Sequence, residues 1–140
     1  MTIAVAETDD QILATFDVMH QLRPKLIRDA YLAVIRQMMD SEGFRLAALT
    51  HDGDVRAVAG YRIFTMLYCG RLLYVDDLVT DDRVRSRGYG ARLLTWLKDE
   101  ARRQGCNELQ LISGVAREQA HRFYFREGLG IECFHFRTRL

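Results

Sequence analysis

The strongest constraint on the fold is a succession of strand, turn, helix and strand in the middle of the chain. Residues 71–80, RLLYVDDLVT, form a nearly continuous apolar run of the kind found in buried strands, and only Asp76 and Asp77 interrupt it. Apolar residues then recur at helical spacing over residues 88–104, and ELQLI at 108–112 alternates as a short strand. Because one helix joins the two strands, the pattern predicts a right-handed parallel crossover.

The first part of the chain predicts two helices. Thr8 and Gln11 form a capping-box pattern, and apolar residues at three- to four-residue spacing continue it as a helix over residues 9–22. Pro24 breaks this pattern, and a second amphipathic stripe then ends near Gly43.

Strand signals precede and follow the central crossover. Asp52 and Gly53 separate two β-rich runs and predict an antiparallel hairpin. A further helix is predicted over residues 117–128, and alternation over residues 131–140 predicts one final strand. Antiparallel strands followed by a βαβ connection are typical of a mixed α+β layout.

Composition indicates a globular protein without a strong charge preference. The 140 residues have the size of a single domain, so we expect one domain over residues 1–140. Twenty basic and nineteen acidic residues leave a net charge of +1, which gives no support to nucleic-acid or membrane-surface binding by global basicity. The first residues lack signal-peptide features and no apolar run approaches the roughly 20 residues of a membrane span, so we expect a cytoplasmic protein.

The cysteines and histidines predict neither a disulfide nor a metal site. Cys69, Cys106 and Cys133 are odd in number and have no CxxC or metal-binding spacing with any histidine. We therefore expect free thiols with a packing role and no metal cofactor.

The turn before the central helix, VRSRGYG, crowds cations and glycines together. A helix N-terminus presents unpaired N–H groups and a partial positive charge, and Gly88 and Gly90 leave it open to a phosphate. Arg85 and Arg87 add charges that suit a pyrophosphate. Taken alone, a solvated basic turn explains the stretch equally well. Its glycine spacing matches neither the P-loop nor the dinucleotide-binding fingerprint, so ATP and NAD sites are not expected.

The stretch RSRGYG at 85–90 resembles the RxxGxG signature of the Gcn5-related N-acetyltransferase (GNAT) family. The resemblance extends to YVDDLVT at 74–80, which stands where the family's fourth strand stands, and to Tyr124 before a glycine turn at Gly128. It covers residues 44–140, while the early helices match in layout only. It implies an α+β, three-layer fold with a mixed central sheet and helices on both faces.

The resemblance also implies a co-substrate and a reaction. The protein would bind acetyl-CoA and transfer its acetyl group directly to an amine, without a covalent enzyme intermediate. The turn would cradle the pyrophosphate, and main-chain groups of the central strand would pair with the pantetheine arm. The cofactor-binding residues implied in this way are Leu78, Val79, Arg85, Ser86, Arg87, Gly88, Tyr89 and Gly90.

Two catalytic residues follow from the same resemblance. An amine attacks only when neutral and alkyl amines have a pKa of about 10, so a base must accept a proton. Asp76 matches an acidic position of several small-amine acetyltransferases, and we favour it as the base. Neighbouring strand residues point to opposite faces, so Asp77 is expected to be structural or at the cleft edge. Either acid could instead bond to nearby main-chain N–H groups.

Tyr124 matches the family's tyrosine, whose hydroxyl supplies a proton to the leaving thiolate. The alternative is a core aromatic whose hydroxyl is bonded elsewhere. His121 lies one helical turn earlier and is expected at the surface or in packing, because a lone histidine on an amphipathic helix is more often structural than catalytic.

The acceptor is expected to be a small-molecule amine, with a protein amine left open. Residues 23–31, RPKLIRDAY, are locally basic and could receive an anionic or carboxylate-bearing substrate, although a solvated helix face is favoured. A non-catalytic acyl-CoA-binding module is the alternative function. A phosphate-backbone binder fits poorly with the near-neutral charge.

The end of the sequence departs from the pattern of many family members. These finish with two strands, whereas residues 128–140 offer room for one. The sheet would then keep a bare edge, and a homodimer that covers it is a hypothesis.

Overall fold

Five strands form one mixed sheet, in which each strand lies beside its neighbour in the sequence. The computed structural model describes residues 1–140. The strands are β1 (Thr2–Val5), β2 (Arg45–His51), β3 (Asp54–Met66), β4 (Gly70–Thr80) and β5 (Glu108–Leu111). The pairs β1–β2, β2–β3 and β3–β4 are antiparallel.

Five α-helices accompany the sheet, and none combines the length and apolar character that crossing a bilayer requires. They are α1 (Asp9–Ala14), α2 (Phe16–Leu22), α3 (Arg28–Glu42), α4 (Tyr89–Arg103) and α5 (Glu118–Arg126). The chain forms two units, Met1–Gln110 and Leu111–Leu140, so that α5 belongs to the second unit and the other four helices to the first.

The core of the first unit lies on both faces of the sheet. One face carries a cluster in which residues of the first three helices pack against Leu46, Val58 and Val79. The other face receives α4, whose leucines are fully buried and whose Trp96 ring meets the ring of Tyr61 edge-on. Because residues 58 and 61 lie on opposite faces of β3, helices cover both sides of the sheet. The predicted α+β architecture is confirmed.

The helix predicted over residues 9–22 is interrupted at Thr15. Its capping box at Thr8 and Gln11 is present as expected. Thr15, however, is fully buried, and its hydroxyl donates to the main-chain oxygen of Ile12 and bonds the hydroxyl of Tyr31. A threonine that bonds back to the preceding turn bends a helix, so two short helices replace one.

The final strand predicted over residues 131–140 is wrong. These residues have no regular secondary structure and all are exposed. Alternating side chains do not hold a strand by themselves, because a strand is stabilised by the hydrogen-bonded ladder it shares with a neighbour. No strand of the chain supplies that ladder, and the apolar residues of the segment stay in contact with solvent.

A buried carboxylate fixes the segment that follows β4. Asp81 has no exposed surface and accepts hydrogen bonds from the main-chain N–H and the guanidinium of Arg83. Gln21, on α2, donates to the same carboxylate and accepts from the main-chain N–H of Asp82. Arg56, on β3, lies 3.7 Å from it. The segment is therefore tied to a helix and a strand at once.

Asp81→Asn should lower the free energy of unfolding by about 2 kcal/mol at pH 7, because it weakens charge-assisted hydrogen bonds inside the protein. The bonds from Arg83 hold the pKa of Asp81 far below its ordinary value. The stabilisation is therefore present above a pH of about 4 and is lost as the pH falls towards the folded-state pKa. Urea unfolding at pH 7 and pH 3 measures both effects.

The matched control is Asp54→Asn, since Asp54 is exposed and pairs with Arg56. It should change stability by less than about 0.5 kcal/mol. An equal loss in the two variants, or a loss for Asp81→Asn that does not shrink in acid, would contradict the role given to the buried carboxylate.

Candidate active site

The two acids of β4 lie at a β-bulge. Gly60 pairs with Asp77 and Tyr61 pairs with Val75, so Asp76 is an extra residue with no partner on β3. A bulge interrupts the alternation of side chains along a strand. The expectation that Asp76 and Asp77 point to opposite faces is therefore wrong.

Contacts with β3 place both carboxylates on the same face of the sheet. Arg62 donates from Nε to Asp76 Oδ2 at 2.9 Å. A Cβ atom added to Gly60 would lie 2.6 Å from Asp77 Oδ2. Gly60 and Arg62 are two residues apart on a regular strand and share a face. Asp76 and Asp77 are therefore neighbours on the side covered by the first three helices.

Arginines from two elements hold these carboxylates. Arg23, the C-cap of α2, donates from Nε to Asp77 Oδ1 at 2.8 Å and from Nη2 to the main-chain oxygen of Asp76 at 3.0 Å. Arg62 also lies 3.9 Å from Glu42. The bulge therefore carries two carboxylates and two guanidiniums in direct contact.

The pKa of Asp76 lies above its ordinary value. Burial raises the pKa of Asp76, the hydrogen bond and charge of Arg62 oppose this rise, and the charge of Asp77 adds to it, with a net rise. A carboxylate with a raised pKa is a stronger proton acceptor than a solvated one. Asp76 therefore has the chemistry required of a base for an ammonium group.

The three arginines of the turn before α4 have different environments. Arg83 is committed to Asp81, whereas Arg85 and Arg87 are exposed and form no ion pair. Ser86 and Gly88 adopt positive φ angles of 67° and 81°. Such a left-handed residue is uncommon when it is not glycine, and turns that contain it point main-chain N–H groups into one space.

The N-terminus of α4 is open. Its N-cap is Gly88, no side chain caps it, and no acidic residue lies in its first turn. The N–H groups of the first turn consequently have no intrahelical partner and keep the partial positive charge of the helix end. Gly90 adds no side chain to this turn. The arrangement fits a phosphate-bearing ligand, as the sequence predicts.

Tyr89 anchors the turn from beneath. Its side chain is buried, and its hydroxyl shares a 2.7 Å hydrogen bond with Nδ1 of His51 at the end of β2. The two rings also meet edge-on, 5.8 Å apart. Tyr89 therefore has a packing role, and His51 is its partner.

Leu78 and Val79 lie on the part of β4 that β5 does not reach. They pair with Ala59 and Val58 on β3. On the other side, β5 has four residues and begins beside Arg71, where the N–H of Asn107 donates to the oxygen of Arg71. It is too short to extend along Leu78 and Val79. Main-chain groups there are available to a ligand that adds to the sheet edge.

Tyr124 lies in the second unit, on α5. It is half-buried, its ring lies 5.5 Å from that of Phe123, and its main-chain oxygen accepts from the N–H of Leu129. Burial raises the pKa of Tyr124, and nearby Arg117 partly offsets the rise. His121 bonds the main-chain oxygen of Gly114 through Nε2 at 2.8 Å, a structural contact.

Several residues of the site were missed by reasoning from the sequence. Arg62 and His51 reach it through contacts with other elements, and Asp81 is bonded by Gln21 of α2 as well as by Arg83. No local pattern predicts the contacts between elements. Gly60 had a usable signal, because glycine inside a strand often marks a bulge or a close approach. No group of three or more metal-binding side chains lies together. The three cysteines are free thiols.

A family model confirms the class of protein that the fold and the site indicate. The model of the acetyltransferase (GNAT) family matches residues 6–131. The chain therefore belongs to the acetyltransferase (GNAT) family and is an N-acetyltransferase.

Two curated relatives and one solved structure agree with this assignment. An uncharacterized N-acetyltransferase of Bacillus subtilis, YhdJ, is 36% identical over 124 residues, which cover 88% of this chain and 87% of the relative. The aminoalkylphosphonate N-acetyltransferase of Salmonella typhimurium is 27% identical over 139 residues, or 98% and 88% of the two chains. The aminoglycoside N-acetyltransferase AAC(6')-Iy, solved with CoA, shares the fold with a TM-score of 0.80 at 16% identity, over 99% of this chain and 96% of that one.

Gly60→Ala should disturb the bulge directly. The added Cβ would lie 2.5 Å from Phe44 Cζ and 2.6 Å from Asp77 Oδ2, so the ring and the carboxylate must move. We expect a loss of about 1–3 kcal/mol in stability from overpacking and a roughly tenfold or larger loss of kcat/KM from misplacing a reacting site. Urea unfolding and acetyl-transfer assays with an amine accepted by the wild type measure the two losses.

Gly130→Ala is the control, because nothing lies within 4 Å of its added Cβ and its φ is not positive. It should leave both quantities near their wild-type values. Wild-type activity in Gly60→Ala would show that the position of Asp77 does not matter for the reaction.

Proposed function

We propose that this protein transfers the acetyl group of acetyl-CoA directly to a primary amine of a small molecule. The observation that carries the proposal is that the arginines of the turn before α4 differ in their partners. Asp81 holds Arg83, while Arg85, Arg87 and an uncapped helix end stay free for a ligand. This arrangement sits at the end of the strand that bears two partly buried acids.

In the proposed complex the turn binds the pyrophosphate of acetyl-CoA. The N–H groups from Gly88 to Gly90 donate to phosphate oxygens, and the guanidiniums of Arg85 and Arg87 pair with the remaining charge. Ser86 and Tyr89 shape the turn, one through its positive φ and the other through its buried ring. The pantetheine arm lies along Leu78 and Val79, where its amides meet main-chain groups of the strand edge.

Asp76 acts as the base in the proposed reaction. It accepts a proton from the bound ammonium group, directly or through water, and leaves a neutral amine. The amine nitrogen then bonds to the thioester carbonyl carbon, and the carbon–sulfur bond breaks. The raised pKa of Asp76 supports this role, and Asp77, on the same face, is the alternative acceptor of the proton.

Tyr124 is the proposed donor of a proton to the departing thiolate. A thiol has a parent pKa of about 8.5 and a phenol one of about 10, so the phenol is the weaker acid. It can donate its proton or a strong hydrogen bond to the thiolate where water does not compete for the thiolate. The partial burial of Tyr124 and its raised pKa keep the hydroxyl protonated at neutral pH.

The class of acceptor rests on the relatives. Aminoalkylphosphonates and aminoglycosides, named for two similar proteins, are small-molecule amines. The family match over residues 6–131 spans both units, which supports a single acetyltransferase domain as the working unit. Three unpaired cysteines support a reducing compartment, and we place the protein in the cytoplasm.

A thermal-shift titration followed by a thiol-release assay tests this function. Acetyl-CoA at a hundredfold excess over Kd should raise Tm by about 8 °C, and an oligonucleotide should not. The variant with Arg85→Gln and Arg87→Gln should lose most of this shift. Arg102→Gln, which changes an exposed arginine in the last turn of α4, should retain it. No shift of Tm at millimolar acetyl-CoA would refute the assignment of acetyl-CoA as the acetyl donor.

Thiol release with a panel of amines then measures transfer. Tyr124→Phe should lower kcat at least about tenfold, because the leaving group loses its proton donor. Tyr68→Phe serves as the control, since Tyr68 is an exposed tyrosine on the loop between β3 and β4. An undiminished kcat in Tyr124→Phe would show that another group protonates the thiolate.

We also propose that the protein is a homodimer. Ile131, Phe134, Phe136 and Leu140 are all exposed within ten residues of chain, and a concentration of large apolar side chains at the surface supports an interaction site. Light scattering after size exclusion should give twice the chain mass of 16.2 kDa at micromolar concentration. Phe134→Ser with Phe136→Ser should shift the mass to that of a monomer. A monomeric wild type would end this proposal and leave the enzymatic one intact.

A further inference from the structure

We propose that the acceptor is a zwitterion: an amine that carries an anionic group on a short spacer and binds between the bulge carboxylates and Arg23. The inference rests on the proposed function, since it names the acceptor class of the same site. It starts from the four charged side chains that meet at the bulge.

The guanidinium of Arg23 forms the outer layer of this group. Its side chain is 51% exposed, whereas those of Asp77 and Asp76 are 14% and 19% exposed. A ligand that arrives from solvent on this face of the sheet therefore meets the guanidinium before it reaches the carboxylates. A cation alone is repelled at that rim, and a ligand with an anionic end is attracted.

Arg23 has donors left for a ligand. Its Nε bonds Asp77 and one N–H of Nη2 bonds the main-chain oxygen of Asp76. A guanidinium carries five N–H donors, so three remain, including both on Nη1. A carboxylate, sulfonate or phosphonate accepts such donors in pairs, and the existing bonds to the strand need not break.

The backbone keeps Arg23 in this position. Arg23 is the C-cap of α2 and stands directly before Pro24, the sole proline of the chain. A residue before proline is disfavoured in the helical region, and Arg23, with φ −120° and ψ 75°, lies outside that region. The side chain therefore leaves a stiff backbone, and less conformational entropy is lost when a ligand binds.

The charge balance of the bulge also favours a zwitterion over a polycation. The carboxylates of Asp76, Asp77 and Glu42 face two guanidiniums, and the exposed Lys25 supplies a third positive charge. The site therefore offers no excess of negative charge to a ligand with several ammonium groups. An ammonium beside Asp76 or Asp77 and an anion on Arg23 would satisfy both signs. Lys25, two residues further on, is exposed and in no ion pair, and it adds positive charge to the same turn.

Matched amines test the inference. For the wild type, kcat/KM should be at least about tenfold higher for 2-aminoethylphosphonate, β-alanine or taurine than for propylamine and ethanolamine. The three anionic probes separate phosphonate, carboxylate and sulfonate as the preferred group. The preference should lie in KM and should shrink as KCl is raised, because it is an interaction of charges near solvent.

Arg23→Gln should reduce the preference to below about threefold, and Arg23→Lys, which keeps the charge but not the planar fork, should restore part of it. Arg36→Gln is the matched control. Arg36 also pairs with an aspartate, Asp9, and with a main-chain oxygen, that of Glu7, but it lies away from the bulge on α3. It should keep the wild-type preference.

The outcomes separate this inference from the proposed function. If neutral amines or 1,3-diaminopropane are acetylated as efficiently as the anionic probes, the zwitterion is wrong and the acetyltransferase assignment stands. If Arg36→Gln loses the preference as fully as Arg23→Gln, the effect is general charge and the assignment to Arg23 is wrong. If acetyl-CoA binds and no amine of the panel is acetylated, both proposals fail at the acceptor.

Discussion

The extra residue at Asp76 is the constraint on which the candidate site depends. In a regular strand Asp76 and Asp77 would face opposite sides, and one of them would lie under α4. The bulge brings both carboxylates to one face, where Arg23 and Arg62 can bond them. Gly60 makes this possible, because any larger residue would occupy the space of the Asp77 carboxylate and the Phe44 ring. The absent side chain of Gly60 and the extra residue Asp76 together place the two carboxylates side by side.

The turn before α4 is built on a different principle. Its fixed points are buried: Asp81 holds Arg83, and Tyr89 bonds His51 below the surface. Its upper side, with Arg85 and Arg87, makes no ion pair within the chain. Rigid support below and free donors above are what a pre-organised anion site requires, since the binding free energy is not spent on ordering the turn.

Local patterns predicted most of the fold and one half of the site. The capping box at Thr8, the Asp52 and Gly53 turn and the glycine-rich entry to α4 are local features, and each is where the sequence placed it. Arg62, His51 and the Gln21 contact of Asp81 join different elements of the fold, so no spacing along the chain reveals them. The strand predicted over residues 131–140 is absent for the same reason. Alternation of apolar and polar residues indicates which side chains would share a face, but not whether a second strand is available to pair with.

The short helix α2 joins the two halves of the site mechanically. Gln21 bonds the carboxylate of Asp81 and the N–H of Asp82 at the base of the turn before α4, and two residues later Arg23 bonds the bulge. A displacement of this helix is therefore transmitted to both places. Under the proposed function, any coupling carried by this helix is reciprocal: the factor by which the co-substrate changes the affinity for the acceptor equals the factor by which the acceptor changes that for the co-substrate. Seven residues of helix thus tie the turn before α4 to the bulge of β4.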